Sequence, residues 1–176
     1  NLVSFQLYGP MAANLQMQGK ELLVRQETAY PFEEQITVHI GAPDLRFTAE
    51  FRVPAWCKQP QIKVIGAKDV VEERLTDRIR VTATWSADSK VELNLPQQLT
   101  QRTIPDGRYV VDVGPLVFSV PIAHVATEYR EYAVKGYADL DVVAANAKWI
   151  FPPTFREPDL ATAEVARRSL LEGNYP

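Results

Sequence analysis

The sequence contains a single cysteine, Cys57, so no disulfide can form within the chain and no cluster of thiolates can hold a zinc ion. We expect Cys57, beside Trp56, to be a small buried apolar residue, because free cysteines are usually buried and inert. Histidine is also scarce, with only His39 and His124 present. His39 alternates with isoleucine and valine and falls on the polar face of its run. That position favours a solvated strand residue over a metal ligand.

Long apolar runs and blocks of one charge are absent as well. No stretch approaches the roughly 20 apolar residues that a membrane-spanning helix needs. No Lys- or Arg-rich block occurs in a chain of net charge −3. These absences argue against membrane and nucleic-acid partners. Residues 1–3 show neither a leader pattern nor an initiator methionine, so we expect a segment of a longer protein. A single free cysteine is compatible with the cytoplasm and with the periplasm, so the compartment stays open.

The strongest positive signal is the alternation of apolar and polar residues over residues 45–53. Strict period-2 alternation is typical of a strand with one buried and one solvated face. Pro54 ends the run because proline has no N–H to donate to a neighbouring strand. The residues predicted to share the buried face are Leu45, Phe47, Ala49, Phe51 and Val53.

Similar strand patterns recur along the chain and are separated by turns that contain Gly or Pro. They lie at residues 3–7, 22–28, 36–40, 62–65, 70–72, 78–85, 91–95, 108–113 and 116–120. Residues 78–85 and 91–95 have the length and spacing of an antiparallel hairpin. We therefore predict an all-β domain, an antiparallel β-sandwich of jelly-roll type, over residues 1–121.

Residues 122–176 have a different composition, and we predict an extension or an incomplete second β module there. The boundary is placed between residues 121 and 127. Residues 128–134 are a candidate for a polar edge strand. Residues 158–172 begin with Pro and Asp, have two arginines near their end and are followed by Gly173. These are helix start and stop signals in the right order, so one helix is predicted in this region.

Catalytic motifs are absent from the sequence. It lacks a glycine-rich phosphate loop, a G-x-S-x-G nucleophile and the spacing of His and Cys that binds metals. The close acidic pairs at positions 33–34, 72–73 and 139/141 are expected to be solvated, because exposed carboxylates are the default. We therefore assign no catalytic residue and no metal ligand.

Aromatic side chains are the remaining candidates for a binding surface, because aromatic rings stack on the apolar faces of sugars. Trp85 lies in phase with Ile79 and Val81 and is predicted to belong to the core. The candidates for carbohydrate binding or for contact with another domain are Tyr30, Phe32, Trp56 and Trp149.

Four separated motifs, taken together, resemble glycoside hydrolase family 127, the β-L-arabinofuranosidase-like proteins. They are RQETAYPF at 25–32, FTAEFRVPAWC at 47–57, Trp85 with VELNLP at 91–96, and VGPLVF at 113–118. The FQLY of residues 5–8 is also similar to a strand of the family. The resemblance is to the region that follows the catalytic (α/α)6 barrel. It covers roughly residues 3–120 and thins after Val120.

The resemblance implies that this segment is not catalytic, although its parent protein would be a glycoside hydrolase. Family members use a cysteine nucleophile, a zinc ion held by cysteines and a glutamate, and an acid/base glutamate, all within the barrel. Cys57 follows the Pro-x-Trp motif and does not match the nucleophile. We therefore expect no cofactor in this segment and a partner in the upstream barrel of the same protein. The alternatives are an independent carbohydrate-binding module and an assembly module that dimerises.

Overall fold

A computed structural model describes residues 1–105, 109–119, 123–145 and 165–166 of the chain. Fourteen β-strands lie in these residues, and none of the described residues is helical. The predicted all-β class is therefore confirmed. The helix predicted over residues 158–172 lies outside the described residues, apart from Val165 and Ala166, and stays a prediction. The described residues also contain no helix long and apolar enough to cross a membrane.

Nine strands build the two sheets of a sandwich. Their bounds are β1 Leu2–Phe5, β2 Met11–Met17, β3 Lys20–Thr28, β4 Gln35–Gly41, β5 Leu45–Arg52, β6 Gln61–Ile65, β7 Lys68–Arg74, β8 Arg78–Trp85 and β9 Ser89–Asn94. Sheet A has the strand order β1-β5-β8-β7, and sheet B has the order β2-β3-β4-β9-β6. Every pair is antiparallel except β1 with β5, which is parallel.

Five further strands follow the sandwich. β10 (Leu99–Thr103), β11 (Tyr109–Val113) and β12 (Leu116–Phe118) form a three-stranded sheet, and β13 (His124–Glu131) pairs with β14 (Ala138–Ala144). The strands predicted at 108–113 and 116–120 are therefore present, but in a sheet of their own. The edge strand predicted at 128–134 overlaps β13. The domain boundary between residues 121 and 127 stays a prediction.

The core lies between sheets A and B because both sheets turn their alternate apolar residues inward. Leu45, Phe47, Ala49 and Phe51 of β5 are at most 3% exposed, as the alternation predicted. They belong to one cluster with the inward residues of β3, β4, β8 and β9. Complete burial of one such large apolar side chain contributes about 1.5–3 kcal/mol.

Trp85 is the largest fully buried side chain of this core. Its indole Nε1 donates a hydrogen bond to the carbonyl oxygen of Phe47 at 3.0 Å, and the two rings lie 5.6 Å apart. The indole N–H is therefore satisfied inside the core, as a buried tryptophan requires. The prediction that Trp85 is a core residue and not a binding platform is confirmed.

The predicted hairpin of residues 78–85 and 91–95 is wrong, because β8 and β9 lie in opposite sheets. β8 pairs with β5 and β7, whereas β9 pairs with β4 and β6. The short connection between them crosses from one sheet to the other at the end of the strands and is held by serines. Ser86 N donates to Ser89 Oγ at 2.8 Å, and Ser89 Oγ donates to the carbonyl oxygen of Gly66 at 3.0 Å.

Two glycines are required by the backbone at the turns of the sandwich. Gly66 has a φ of +75°, and a Cβ at this position would lie 2.9 Å from the carbonyl oxygen of Asp88. The β2–β3 hairpin turns through Gln18 and Gly19, whose φ values are 54° and 73°. Positive φ at both central residues is the geometry of a two-residue hairpin turn that matches the twist of the strands.

Glu50 connects three strands on the outer face of sheet A. It is only 3% exposed, although the polar phase of β5 predicts a solvated position. Its carboxylate accepts hydrogen bonds from Ser4 Oγ on β1 at 2.9 Å, and from Arg80 Nε at 2.8 Å and Arg78 Nη1 at 3.4 Å on β8. The hydrogen bond from Arg80 is the main reason that the pKa of Glu50 lies below its ordinary value of 4.5.

Trp85→Ala is expected to lower the free energy of unfolding by about 3–5 kcal/mol, because it leaves a large cavity in the core. Leu23→Ala on the solvated face of β3, where Leu23 is 52% exposed, is the control and should change stability by less than about 0.5 kcal/mol. Urea unfolding at equilibrium measures both. Trp85→Phe keeps the test informative if the alanine variant does not fold, with an expected loss of about 1–3 kcal/mol. Equal free energies of unfolding for the wild type and all variants would contradict the burial of Trp85 in the core.

Glu50→Gln is expected to lower stability at neutral pH and to flatten the acid side of the stability curve. The native state lowers the pKa of Glu50, so the ionised carboxylate stabilises the fold. This stabilisation is complete above pH 4.5 and is lost as the pH falls through the native-state pKa. Urea unfolding of the wild type and the variant is measured from about pH 7 to about pH 3. The difference between their free energies of unfolding should shrink below pH 4.5. Glu73→Gln removes an exposed carboxylate 3.6 Å from Arg80 and serves as the control. A difference that is constant with pH would contradict this account.

Candidate functional site

Two aromatic side chains, Tyr8 and Tyr30, meet at one end of the sandwich, where β1, β3 and β5 end and β4 and β8 begin. Phe32 and Trp56 lie in the loops that follow β3 and β5 at this end. We call this part the aromatic end and define it by Tyr8, Tyr30, Phe32 and Trp56. Tyr8 follows β1 of sheet A, and Tyr30 follows β3 of sheet B. Their rings meet edge to face at 5.8 Å, so they connect the two sheets.

Tyr8 and Tyr30 are anchors of this end. The Tyr8 hydroxyl donates a hydrogen bond to the carbonyl oxygen of Arg52, the last residue of β5, at 2.6 Å. Burial raises the pKa of both phenols above their ordinary value of 10, and the nearby Tyr30 raises that of Tyr8 further. Both hydroxyls therefore stay protonated at neutral pH, and neither is suited to act as a general base.

The turn after β3 holds Phe32 outward. Tyr30 N donates to Thr28 Oγ1 at 3.0 Å, and Phe32 N donates to the carbonyl oxygen of Ala29 at 2.9 Å. Gln97 Nε2 donates to the carbonyl oxygen of Pro31 at 2.9 Å, so the segment beyond β9 braces the same turn. Phe32 remains 61% exposed. Among the predicted site residues within the described residues, it alone presents a mostly free ring.

The loop after β5 contains the other predicted candidate, Trp56, which is partly buried against the core cluster. The adjacent Cys57 is 5% exposed, and its N–H donates to the carbonyl oxygen of Pro54 at 2.9 Å. Burial raises the pKa of the Cys57 thiol, which disfavours the reactive thiolate. The predicted burial of Cys57 is confirmed. Trp149, the fourth predicted candidate, lies outside the described residues.

Clefts in the described part of the sandwich include one near the aromatic end and one on sheet B. One of about 60 Å³ lies near the aromatic end and is lined by Gln6, Arg52, Asp77 and Arg78. Pockets for small molecules usually measure about 300–1,000 Å³, so this cleft does not hold a sugar ring. A second cleft of about 320 Å³ lies on sheet B, and its only carboxylate is Glu92. Glycoside hydrolysis requires two catalytic groups, one on each side of the scissile bond, and this cleft offers a single carboxylate.

The solvated faces of both sheets carry mostly polar side chains, with isolated apolar ones such as Leu23. The strand registers place no Phe, Tyr or Trp on the outer face of any strand from β1 to β9. His39 lies on the outer face of β4, with Nε2 3.0 Å from Glu27 Oε2, and Arg25 lies 2.8 Å from the same carboxylate. The predicted solvated position of His39 is confirmed. The described residues contain no group of three or more His, Cys, Asp or Glu side chains placed to hold a metal ion.

Comparison with known proteins agrees with this architecture. A family model described as the GH127 middle domain of beta-L-arabinofuranosidase matches residues 2–97, from the first residue of β1 to just beyond β9. No curated protein matches the chain.

Solved structures of similar fold include two GH127 enzymes. A beta-L-arabinofuranosidase from Geobacillus stearothermophilus T6 has a TM-score of 0.58 and 21% identity over 66% of this chain. A second GH127 beta-arabinofuranosidase has a TM-score of 0.57 and 24% identity over 66% of this chain. A protein described as a glycoside hydrolase has a TM-score of 0.55 and 20% identity over 85% of this chain. At these identities, the three likenesses establish the fold alone.

The chain corresponds to 20%, 22% and 30% of the lengths of these three proteins. The family match, in contrast, covers more than half of the 176 residues and coincides with the two-sheet sandwich. The chain therefore belongs to the GH127 β-L-arabinofuranosidase family, and residues 2–97 form its middle domain.

Proposed function

We propose that this chain is a non-catalytic segment of a β-L-arabinofuranosidase-like glycoside hydrolase, that it follows the catalytic barrel in the sequence, and that it packs against and supports that barrel. The observation that carries the proposal is the match of residues 2–97 to a middle domain, in relatives of which this chain covers only 20% and 22%. A middle domain has neighbours on the same polypeptide, so packing against one of them is the role that this match favours.

The side chains of the sandwich support a structural role. Glu50 is engaged by Arg78 and Arg80, so its charge is already compensated. Glu27 is exposed, and its carboxylate lies within 3.0 Å of Arg25 and His39. Cys57 is a buried thiol. In this proposal the cysteine and glutamate ligands that the family resemblance implies for zinc lie in the barrel, and this segment contributes no ligand.

The aromatic end is the part of the sandwich best suited to contact the barrel. Phe32 is 61% exposed there, and Leu7, which precedes Tyr8, is 80% exposed. Large apolar side chains at this exposure contribute about 1.5–3 kcal/mol each when a partner covers them. The braced turn at Pro31 presents Phe32 in a fixed position, which lowers the entropy cost of association. Tyr30 and Trp56, which are partly buried against the core, would support the residues that make this contact.

A carbohydrate-binding module is the alternative function. The observation in its favour is the exposed ring of Phe32 beside Tyr30, since such a ring can stack on a sugar. The outer faces of β1 to β9 count against it, because they offer no aromatic platform to an extended polysaccharide.

Phe32→Asp is expected to lower the melting temperature of the complete parent protein by about 4 °C or more, because a charge would replace a ring buried between domains. In the isolated 176-residue chain the same variant should melt within about 1 °C of the wild type, because Phe32 is exposed there. Differential scanning calorimetry measures both forms. Leu23→Asp, at a similarly exposed position on the outer face of sheet B, is the control and should change the melting temperature by the same amount in both forms. No effect of Phe32→Asp in the parent would contradict docking through the aromatic end.

A further inference from the structure

The two lateral sides of the sandwich differ in the protection of their edge strands. β6 and β7 form one side and are joined by two residues, Gly66 and Ala67. β7 has charged side chains at five of its seven positions, and its pairing with β8 is interrupted between Lys68 and Val71. Charges and irregular pairing are the usual devices that prevent an edge strand from pairing with another chain.

The opposite side, formed by β1 and β2, lacks these devices. Neither strand contains a charged residue or a proline. β2 is seven residues long and pairs with β3 at every position without a register shift. Among the described residues, no strand pairs with the other edge of β2. A long, regular and uncharged edge is a template for strand addition.

The sequence of β2 is compatible with its own antiparallel copy. A two-fold axis through Asn14 would place Met11 opposite Met17, and Ala13 opposite Leu15, of the second copy. The register with β3 puts these four side chains on the core side of sheet B, so the new pairs are apolar against apolar. Asn14 would face its own copy on the solvated side, where two amides can share a hydrogen bond.

We infer that β2 pairs antiparallel with β2 of a second copy of this chain, which joins two five-stranded sheets into one continuous sheet. Met11 is 41% exposed and Leu15 is 36% exposed in the single chain, and the second copy would cover both. Seven uncharged residues on each side create no like-charge contact. The inference rests on the free edge of β2 alone and not on the proposed function.

Disulfide trapping tests the register directly. Directly opposite residues in an antiparallel pair have Cα atoms about 4.5–5.5 Å apart, within the range that a disulfide bridges. Asn14→Cys should therefore form an intermolecular disulfide rapidly under mild oxidation. Gln16→Cys is the matched control, because its Cα would lie about 14 Å from its copy. Cys57, at 5% exposure, does not compete.

Sedimentation equilibrium over micromolar to submillimolar concentrations tests the association without cross-linking. The wild-type chain should show a monomer–dimer equilibrium. Asn14→Lys should raise the dimer dissociation constant about fivefold, because it places two like charges opposite each other. Val71→Lys on the other lateral side, where Val71 is 58% exposed, should leave the constant unchanged.

Three results would overturn the inference. The first is a chain that stays monomeric throughout the concentration range. The second is equal trapping of Asn14→Cys and Gln16→Cys, which would indicate random collision. The third is a dimer that Asn14→Lys and Val71→Lys affect equally, which would indicate pairing through another surface or with another segment.

Discussion

The interior of the sandwich depends on one constraint, that each strand turns alternate side chains toward the opposite sheet. Because the side-chain period of a strand is two, a slip of one residue would move an entire apolar row into solvent. The pairing of Phe51 with Ile79 and of Ala49 with Val81 fixes this register between β5 and β8. Phe5 then stacks on Phe51 at 4.9 Å and adds β1 to the same core.

Apart from the free edge of β2, the features that suggest function lie in the loops where this alternation ends. The outer faces are mostly polar and carry charge networks, of which the one around Glu50 strengthens sheet A. Within residues 2–97, the aromatic rings outside the core lie instead in the loops after β1, β3 and β5. The sheets therefore provide stability, and the loops and edges are left available for contacts, which agrees with the proposed packing against a catalytic barrel.

The alternation in residues 45–53 and 78–85 was enough to predict the strands, the buried face and the position of Trp85. It could not predict that β8 and β9 lie in opposite sheets, because alternation shows which face is buried and not which sheet a strand joins. β2 was missed because the weak strand formers alanine and asparagine fill its centre. The burial of Glu50 could not be predicted either, since Arg78 and Arg80 reach it only through the register of β5 with β8. Among the site residues, the sequence identified Tyr30, Phe32 and Trp56 as candidates but missed Tyr8, although Tyr8 joins the two sheets.

The central claim is that this middle domain supports a catalytic partner and has no sugar site of its own. Isothermal titration calorimetry of the 176-residue chain with arabinan-type oligosaccharides at millimolar concentration tests it most directly. The account predicts no heat beyond dilution. A saturable heat that disappears in Phe32→Ala would contradict it and would establish a carbohydrate-binding module.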